Sequence, residues 1–347
     1  MSASDDHDPF DCFGDSSSDE DNTTTDAAAD ADFKEAQRLK EKSNAGKSTA
    51  DIISSITSDM FEIFDAPLSG KGLRATVAYK CGDEIMRESA AMRIPNSQPA
   101  SSQEAAEQLH KYAIQRAYNS MHETTQLSFM DLSSCNEDGI EDVIKTPAGV
   151  YDTNSFRLGN DPLGGVFLTI ARINHSCLPN VSHFWRPNLQ QTLVFATRDI
   201  DIGEELCTMY GPSECMDTES RREYLSDRFS FQCMCEMCLE GNTNGGDERM
   251  IKIKTLHDDI AFQSSTGIAA LESVEKCLDL MKEQGIGGGA FTKSIYHRGH
   301  DICIAAGDKT GARAYLANEL IAVRDSEGIG SPKAIEIEHM LNRVHSC

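Results

Sequence analysis

Cys233, Cys235 and Cys238 stand in a Cys-x-Cys-x2-Cys run, a spacing too tight for a disulfide framework and well suited to one metal ion. Zinc takes four donors in a tetrahedron and favours thiolate at closed structural sites, so the run leaves one position to be filled from elsewhere. Cys177 and His175, in the segment Asn174-His175-Ser176-Cys177-Leu178-Pro179-Asn180, are the nearest sensible donors. A closed site of this kind does no chemistry; it pins the segment after Tyr210 against the turn around Cys177. Tyr210 ends the segment Gly203-Glu204-Glu205-Leu206-Cys207-Thr208-Met209-Tyr210 and offers a phenol at a strand terminus. Far upstream lies Gly70-Lys71-Gly72-Leu73-Arg74-Ala75. Glycines there let a backbone come close to a ligand, and exposed N–H groups in such a loop hold a carboxylate, with a cation assisting. A plain hairpin turn is the alternative reading.

The elements that must position these residues follow from periodicity. Phe61 to Phe64 alternates apolar and polar residues, Pro67 to Gly72 reads as a turn, and Leu73 to Tyr79 as a second strand. Gly82-Asp83 marks another turn before the strands that run from Glu84 to Pro95. Ser101 to Leu132 reads as helix, with Ser101 and Glu104 as a capping box and Leu109, Tyr112, Ile114 and Ala117 as its apolar stripe. The apolar run from Val166 to Ile173 predicts a buried helix leading into Asn174. Thr192 to Thr197 and Glu205 to Tyr210 predict strands, and Thr218 starts a helix through about Asp227 with Glu219 and Glu223 near its positive end. After the Gly- and Asn-rich linker of residues 239–247, five helices are expected, roughly over 248–264, 267–284, 290–306, 310–327 and 332–345. Leu316, Leu320 and Val323 share one face there, as do Ile337, Met340, Leu341 and Val344.

Composition narrows the function class. A chain of 347 residues accommodates one ordinary core and a second small domain. Twelve cysteines without a secretory signal at Met1 to Asp8 predict a reducing compartment, and the lack of a run of about twenty apolar residues predicts no membrane span. A net charge of −24 disfavours direct contact with nucleic-acid phosphates and suits a basic partner instead. Residues 1–50, rich in Asp, Ser, Thr and Ala, are expected to be a disordered acidic tail, with Phe33 to Lys42 as a marginal helix and a solubilising role.

In their order, the Asn-His-Ser-Cys-x-Pro-Asn segment, the Gly-Glu-Glu-Leu…Tyr segment and the trailing Phe-x-Cys-x-Cys-x2-Cys resemble SET-domain protein lysine methyltransferases. The subgroup most like this chain is the SET-and-MYND proteins, although the MYND finger is absent: Ser101 to Cys135 offers only Cys135, His110 and His122. The resemblance covers about Phe61 to Cys238 well and the helical end weakly. It implies an α+β fold of short antiparallel sheets with a knot-like C-terminal segment, a helical insert at about 96–150 within a SET domain spanning 51–228, and a post-SET zinc segment at 229–240. An all-α domain over 241–347, similar to the tetratricopeptide-like end of the subgroup, would follow. It further implies S-adenosylmethionine as methyl donor. Gly70, Lys71, Gly72 and Leu73 match the loop that binds its methionine carboxylate; Asn174 and His175 match residues that meet its adenosine part; Phe231 matches the ring that stacks on adenine. Asp152-Thr153-Asn154-Ser155-Phe156 resembles a segment whose asparagine, here Asn154, contacts the cofactor. Tyr210 matches the catalytic tyrosine, and Cys177 the fourth zinc ligand beside Cys233, Cys235 and Cys238. Where the subgroup commonly has a second channel tyrosine, this chain has Phe229. The implied activity is methylation of a lysine in a protein, histone or otherwise, by a monomer in nucleus or cytoplasm. The competing class is a zinc-stabilised interaction scaffold that has lost turnover.

Overall fold

The alternation that begins at Phe61 produces a hairpin: β1 (Phe61–Ala66) pairs antiparallel with β2 (Gly70–Ala75), Ile63 opposite Leu73 and Phe64 opposite Gly72. The computed structural model describes residues 59–67, 69–96, 101–135, 145–211, 216–240, 245–262, 267–287 and 289–343. The expected acidic tail, the helix at Phe33 to Lys42 and Val344 lie outside the described residues. One expectation is corrected at once. Gly70, Lys71 and Gly72 are not a loop but the first half of β2, and that strand ends at Ala75 rather than reaching Tyr79. Tyr79 instead makes an isolated bridge to Ile200.

Further strands are β3 (Glu84–Ser89), β4 (Met92–Pro95), β5 (Ser155–Arg157), β6 (Leu163–Val166), β7 (Asn174–His175), β8 (Val181–Arg186), β9 (Gln191–Ala196) and β10 (Glu205–Thr208). They build three small sheets with orders β1-β2-β10-β7, β3-β9-β8 and β4-β6-β5. In the first, β10 lies antiparallel to β2, Leu206 facing Leu73, and parallel to β7, Cys207 beside Asn174 and Thr208 beside His175. Segments more than a hundred residues apart in sequence thus become neighbouring strands. Leu73, Leu206, Ile173, Val194 and Ile200, each at most 3% exposed, weld the first two sheets into one core.

The apolar run before Asn174 is not the expected helix. Val166 closes β6, and only Ile170 to Arg172 coil, as a single 3-10 turn. Its start is fixed from a distance: the Glu88 carboxylate accepts the N–H groups of Thr169, at 3.0 and 3.1 Å, and of Ile170 at 2.9 Å. A carboxylate at a helical N-terminus satisfies donors that have no partner within the turn, which a local reading of the run does not reveal.

The insert contains α1 (Gln103–Ser120), α2 (Glu123–Met130) and α3 (Pro147–Asn154). The cap of α1 is Ser102, not Ser101; its hydroxyl accepts the Ala105 N–H at 3.2 Å. The predicted apolar stripe is also corrected. Leu109 and Tyr112 stand 44% and 68% exposed, whereas Ile114 is fully buried against Met92, Ile94 and Phe129, with Ala113, Ala117 and Tyr118 packed around it. The sheet beneath the helix chose the buried face.

Beyond the strands lie α4 (Thr218–Phe229), α5 (Glu236–Glu240), α6 (Gly246–Phe262), α7 (Gly267–Gln284), α8 (Ala290–Ala305), α9 (Lys309–Glu327) and α10 (Pro332–Arg343). All described residues fall in one compact unit. Cys177, Leu225, Cys233 and Met237 share a core with Met250, Ile253 and Val274, so apolar packing runs continuously into the helical region. α9 returns to the sheets: Ser182 Oγ donates to the Ser326 carbonyl at 2.8 Å, and Arg186 donates to those of Gly330 at 2.6 Å and Glu327 at 3.2 Å. Among the described residues no helix is long and apolar enough to cross a membrane.

Candidate active site

The first sheet brings three of the sequence segments to one place. Asn174 on β7 donates its side-chain amide to Glu205 Oε1 on β10 at 2.8 Å and to the Lys71 carbonyl on β2 at 3.4 Å. Gly72 makes that contact possible. A Cβ there would lie 2.7 Å from Glu205 Oε1 and 2.8 Å from Asn174 Nδ2, closer than a side chain can come. Gly70 differs: it adopts φ +75° and has nothing within 4 Å of a Cβ position, so open space lies over the start of β2. Asn180, 2% exposed, ties the other end of the segment down by accepting the Cys207 N–H at 2.7 Å and donating to the Glu205 carbonyl at 2.8 Å.

Tyr210 follows β10 and is held twice by the β7 segment. Its N–H donates to His175 Nδ1 at 2.9 Å, and its hydroxyl donates to the Ile173 carbonyl at 2.7 Å. Burial pushes the phenol well above the ordinary tyrosine range, so the hydroxyl is neutral. Because Nδ1 accepts, the His175 proton sits on Nε2, which faces Cys177 Sγ at 3.3 Å. Burial lowers the imidazole pKa to about 4, in keeping with a neutral ring. Around this pair stand Phe229, with its centroid 5.1 Å from the Tyr210 ring, and Phe231, at 6.0 Å from His175 and 6.3 Å from Tyr210. α4 delivers them: Ser230 caps the helix in the left-handed conformation, at φ 57°, and turns the chain between the two phenylalanines.

The three cysteines of the Cys-x-Cys-x2-Cys run lie beside Cys177. The sulfurs of Cys177, Cys233, Cys235 and Cys238 all lie within 4.8 Å of one another, with Cys177 at 3.9 Å from Cys233 and 3.5 Å from Cys238. A tetrahedron with zinc–sulfur bonds of about 2.3 Å has edges of roughly 3.8 Å, so the donor set fits that ion. His175 stands outside the set and donates to one of its sulfurs.

Two arginines of α4 that the sequence reading missed complete the surroundings. Arg221 is fully buried, its Nη2 3.8 Å from Cys238 Sγ and its Nη1 3.7 Å from Asp247. A guanidinium out of water is costly unless anions face it, and four thiolates on a divalent ion carry a net charge of −2. Arg222 donates to the carbonyls of Cys233 at 3.3 Å and Cys238 at 2.9 Å, fixing the knuckle backbone.

Asn154 lies elsewhere in this arrangement. It ends α3 at 8% exposure and its amide donates to the carbonyls of Ser133 and Val150, both at 2.7 Å. Its neighbourhood does touch the phenylalanine turn, since Ser230 Oγ donates to the Cys135 carbonyl at 3.0 Å and the Cys135 N–H to Thr153 Oγ1 at 3.0 Å.

Residues 70–211 match the SET domain family, and this chain carries a SET domain. It is similar to SET-domain protein lysine methyltransferases close to the SMYD proteins. Histone-lysine N-methyltransferase set5 of Schizosaccharomyces pombe is 30% identical over 180 residues, 52% of this chain and 50% of that protein. Histone-lysine N-methyltransferase SMYD3 of Homo sapiens is 36% identical over 107 residues, 28% of this chain and 24% of that protein. Protein-lysine N-methyltransferase SMYD4 of Danio rerio is 26% identical over 179 residues, 42% of this chain and 23% of that protein. The chain thus spans half the length of the first of these relatives and about a quarter of the others.

Proposed function

We propose that this protein transfers a methyl group from S-adenosylmethionine to the side-chain amine of a lysine in a protein substrate, with zinc in a structural role. The observation that carries the reading is the single sheet in which Gly70 to Leu73, Asn174-His175 and the strand leading to Tyr210 lie side by side. The open space over Gly70 and the ammonium of Lys71 fit a ligand carboxylate. Asn174, His175 and Phe231 offer an amide, an imidazole and an aromatic face for the adenosine part, with Asn154 as a further contact; Cys177, Cys233, Cys235 and Cys238 would hold zinc.

When bound, the cofactor supplies an electrophilic methyl on a sulfonium. The chain's own residues must then present a neutral amine. Free lysine has a pKa of about 10.4 and is almost entirely protonated at neutral pH. The rings of Tyr210, Phe229 and Phe231 form an apolar wall that disfavours the ammonium form. Tyr210, neutral and held through both its N–H and its hydroxyl, orients the acceptor rather than removing its proton. The remaining work is alignment in a dry channel. Phe229 offers no hydroxyl to restrain an amine that already carries methyl groups, so more than one methylation per lysine is expected. A product ladder in mass spectra that stops at monomethyl-lysine with cofactor in excess would contradict that.

The acidic chain suits a basic partner, a histone or another lysine-rich protein, met by a monomer in nucleus or cytoplasm. A zinc-stabilised scaffold is the competing reading, and cofactor binding separates the two. In calorimetric titration with S-adenosylmethionine, saturable binding is expected, with Asn174→Ala weakening it about tenfold or more, since the mutation removes the amide and frees Glu205. Well-folded protein that does not bind would end the enzyme reading.

A further inference from the structure

We propose that Asp131 is a positioning residue for the cofactor, a carboxylate at the C-terminus of α2 that fixes Lys71 and Arg172 relative to one another. The inference rests on the reading above that these strands hold S-adenosylmethionine. Asp131 accepts from Lys71 Nζ at 3.1 Å through Oδ1 and 3.0 Å through Oδ2, and from Arg172 Nη2 at 2.8 Å. Lys71 belongs to β2, while Arg172 ends the 3-10 turn two residues before Asn174; in the sheet β10 separates β2 from β7. One carboxylate therefore spans two segments that no direct strand pairing joins.

The carboxylate is itself rigidly placed. Asp131 caps α2, its N–H donating to the Leu127 carbonyl at 3.1 Å. Its flanks are anchored by Phe129 and Leu132, 0% and 2% exposed in the core that holds Ile114 and Ile94. Locally the choice of residue is unfavourable, because an anion at a helix C-terminus opposes the helix dipole. A residue that breaks the local rule is explained by what it holds at a distance.

Charge supports the same role. The Arg172 side chain is 3% exposed and, among the described residues, its Nε has no partner, so Asp131 is the anion that offsets a buried cation. Lys71 is 35% exposed and keeps one face free. The Lys71 ammonium is thus the cation that Asp131 holds beside the start of β2, where a ligand carboxylate would sit. Without Asp131 the two cations repel, the Lys71 side chain loses its anchor over β2, and Arg172 pulls on the turn that feeds Asn174.

The test is calorimetric titration of the full chain with S-adenosylhomocysteine, comparing wild type with Asp131→Asn, Asp131→Glu, Lys71→Met and the Lys71→Met/Asp131→Asn pair. Asp131→Asn is expected to weaken binding about tenfold, the scale of coupling within one charged network. The pair should bind within about threefold of the weaker single variant, because Asp131 acts through Lys71. Asp131→Glu keeps the charge but moves it out by a methylene, and should fold and bind about threefold to tenfold more weakly. Wild-type affinity in folded Asp131→Asn, or fully additive losses in the pair, would overturn the proposal. So would wild-type affinity in Asp131→Glu, even if Asp131→Asn does not fold. Failure of wild type to bind at all would instead strike the functional reading.

Discussion

The protein purified from a zinc-replete host is expected to carry one tightly held zinc ion per chain, and Cys233→Ser or Cys235→Ser to lose it together with several kcal/mol of stability. Structural zinc binding in small peptides is worth about 10–16 kcal/mol of apparent folding free energy. Here the loss is smaller because the sheets keep their own core, and about 3–5 kcal/mol is the expected scale. The cluster is not peripheral. Cys177, Cys233 and Cys238 are each 2% exposed and pack with Leu225, Met250 and Ile253, so losing the ion leaves these thiols buried and the Arg221 guanidinium with only Asp247 facing it. The damage should spread to Tyr210, whose N–H is fixed by His175 and, through it, by Cys177. Metal analysis and urea denaturation check this, with Cys81→Ser, at an exposed thiol, as the variant expected to behave as wild type. Retention of full zinc and unchanged unfolding in Cys233→Ser would refute it.

Tyr210→Phe is expected to lower turnover by about 100-fold to 1,000-fold while leaving cofactor affinity within about threefold. The size is that of removing one pre-placed hydrogen-bond group from a water-excluded site. The hydroxyl is neutral and already committed to the Ile173 carbonyl, so its loss disturbs orientation and not the charge of the pocket. Freeing that carbonyl should also lower stability, by about 1 kcal/mol. Steady-state kinetics beside cofactor titration separate the two effects. Equal loss of binding and turnover would mean that Tyr210 only shapes the pocket, and unchanged turnover would remove it from the reaction.

How much of this was legible in the sequence depended on range. The cysteine cluster could be read because three of its donors lie within six residues and zinc tolerates few alternatives. The β strands near Tyr210 could be read because alternation survives in short windows, and the helices from Gly267 onward because their apolar faces repeat at helical spacing. The segment from Val166 to Ile173 misled for a physical reason: its apolar residues are buried by the sheets, and its 3-10 turn is set by Glu88, eighty-one residues away from Thr169. Leu109 and Tyr112 misled likewise, since the face of α1 that is buried depends on Met92 and Ile94 beneath it. Arg221, Glu205 and Asp131 left little signal. A charged residue in a charged helix or loop reads as solvated, and only the folded chain shows that Arg221 is buried against sulfur or that Asp131 joins β2 to the 3-10 turn before Asn174. For Glu205 the one available hint was its place in the Gly-Glu-Glu-Leu segment.

The most direct measurement is transfer of an isotopically labelled methyl group from S-adenosylmethionine to core histones and to a panel of other basic proteins, read by mass spectrometry at the level of the modified residue. The account predicts label on the side-chain amine of lysine with wild-type protein, and at least a hundredfold less with Tyr210→Phe at equal cofactor occupancy. Saturated cofactor with no label on any lysine, or equal labelling by the two proteins, would contradict it.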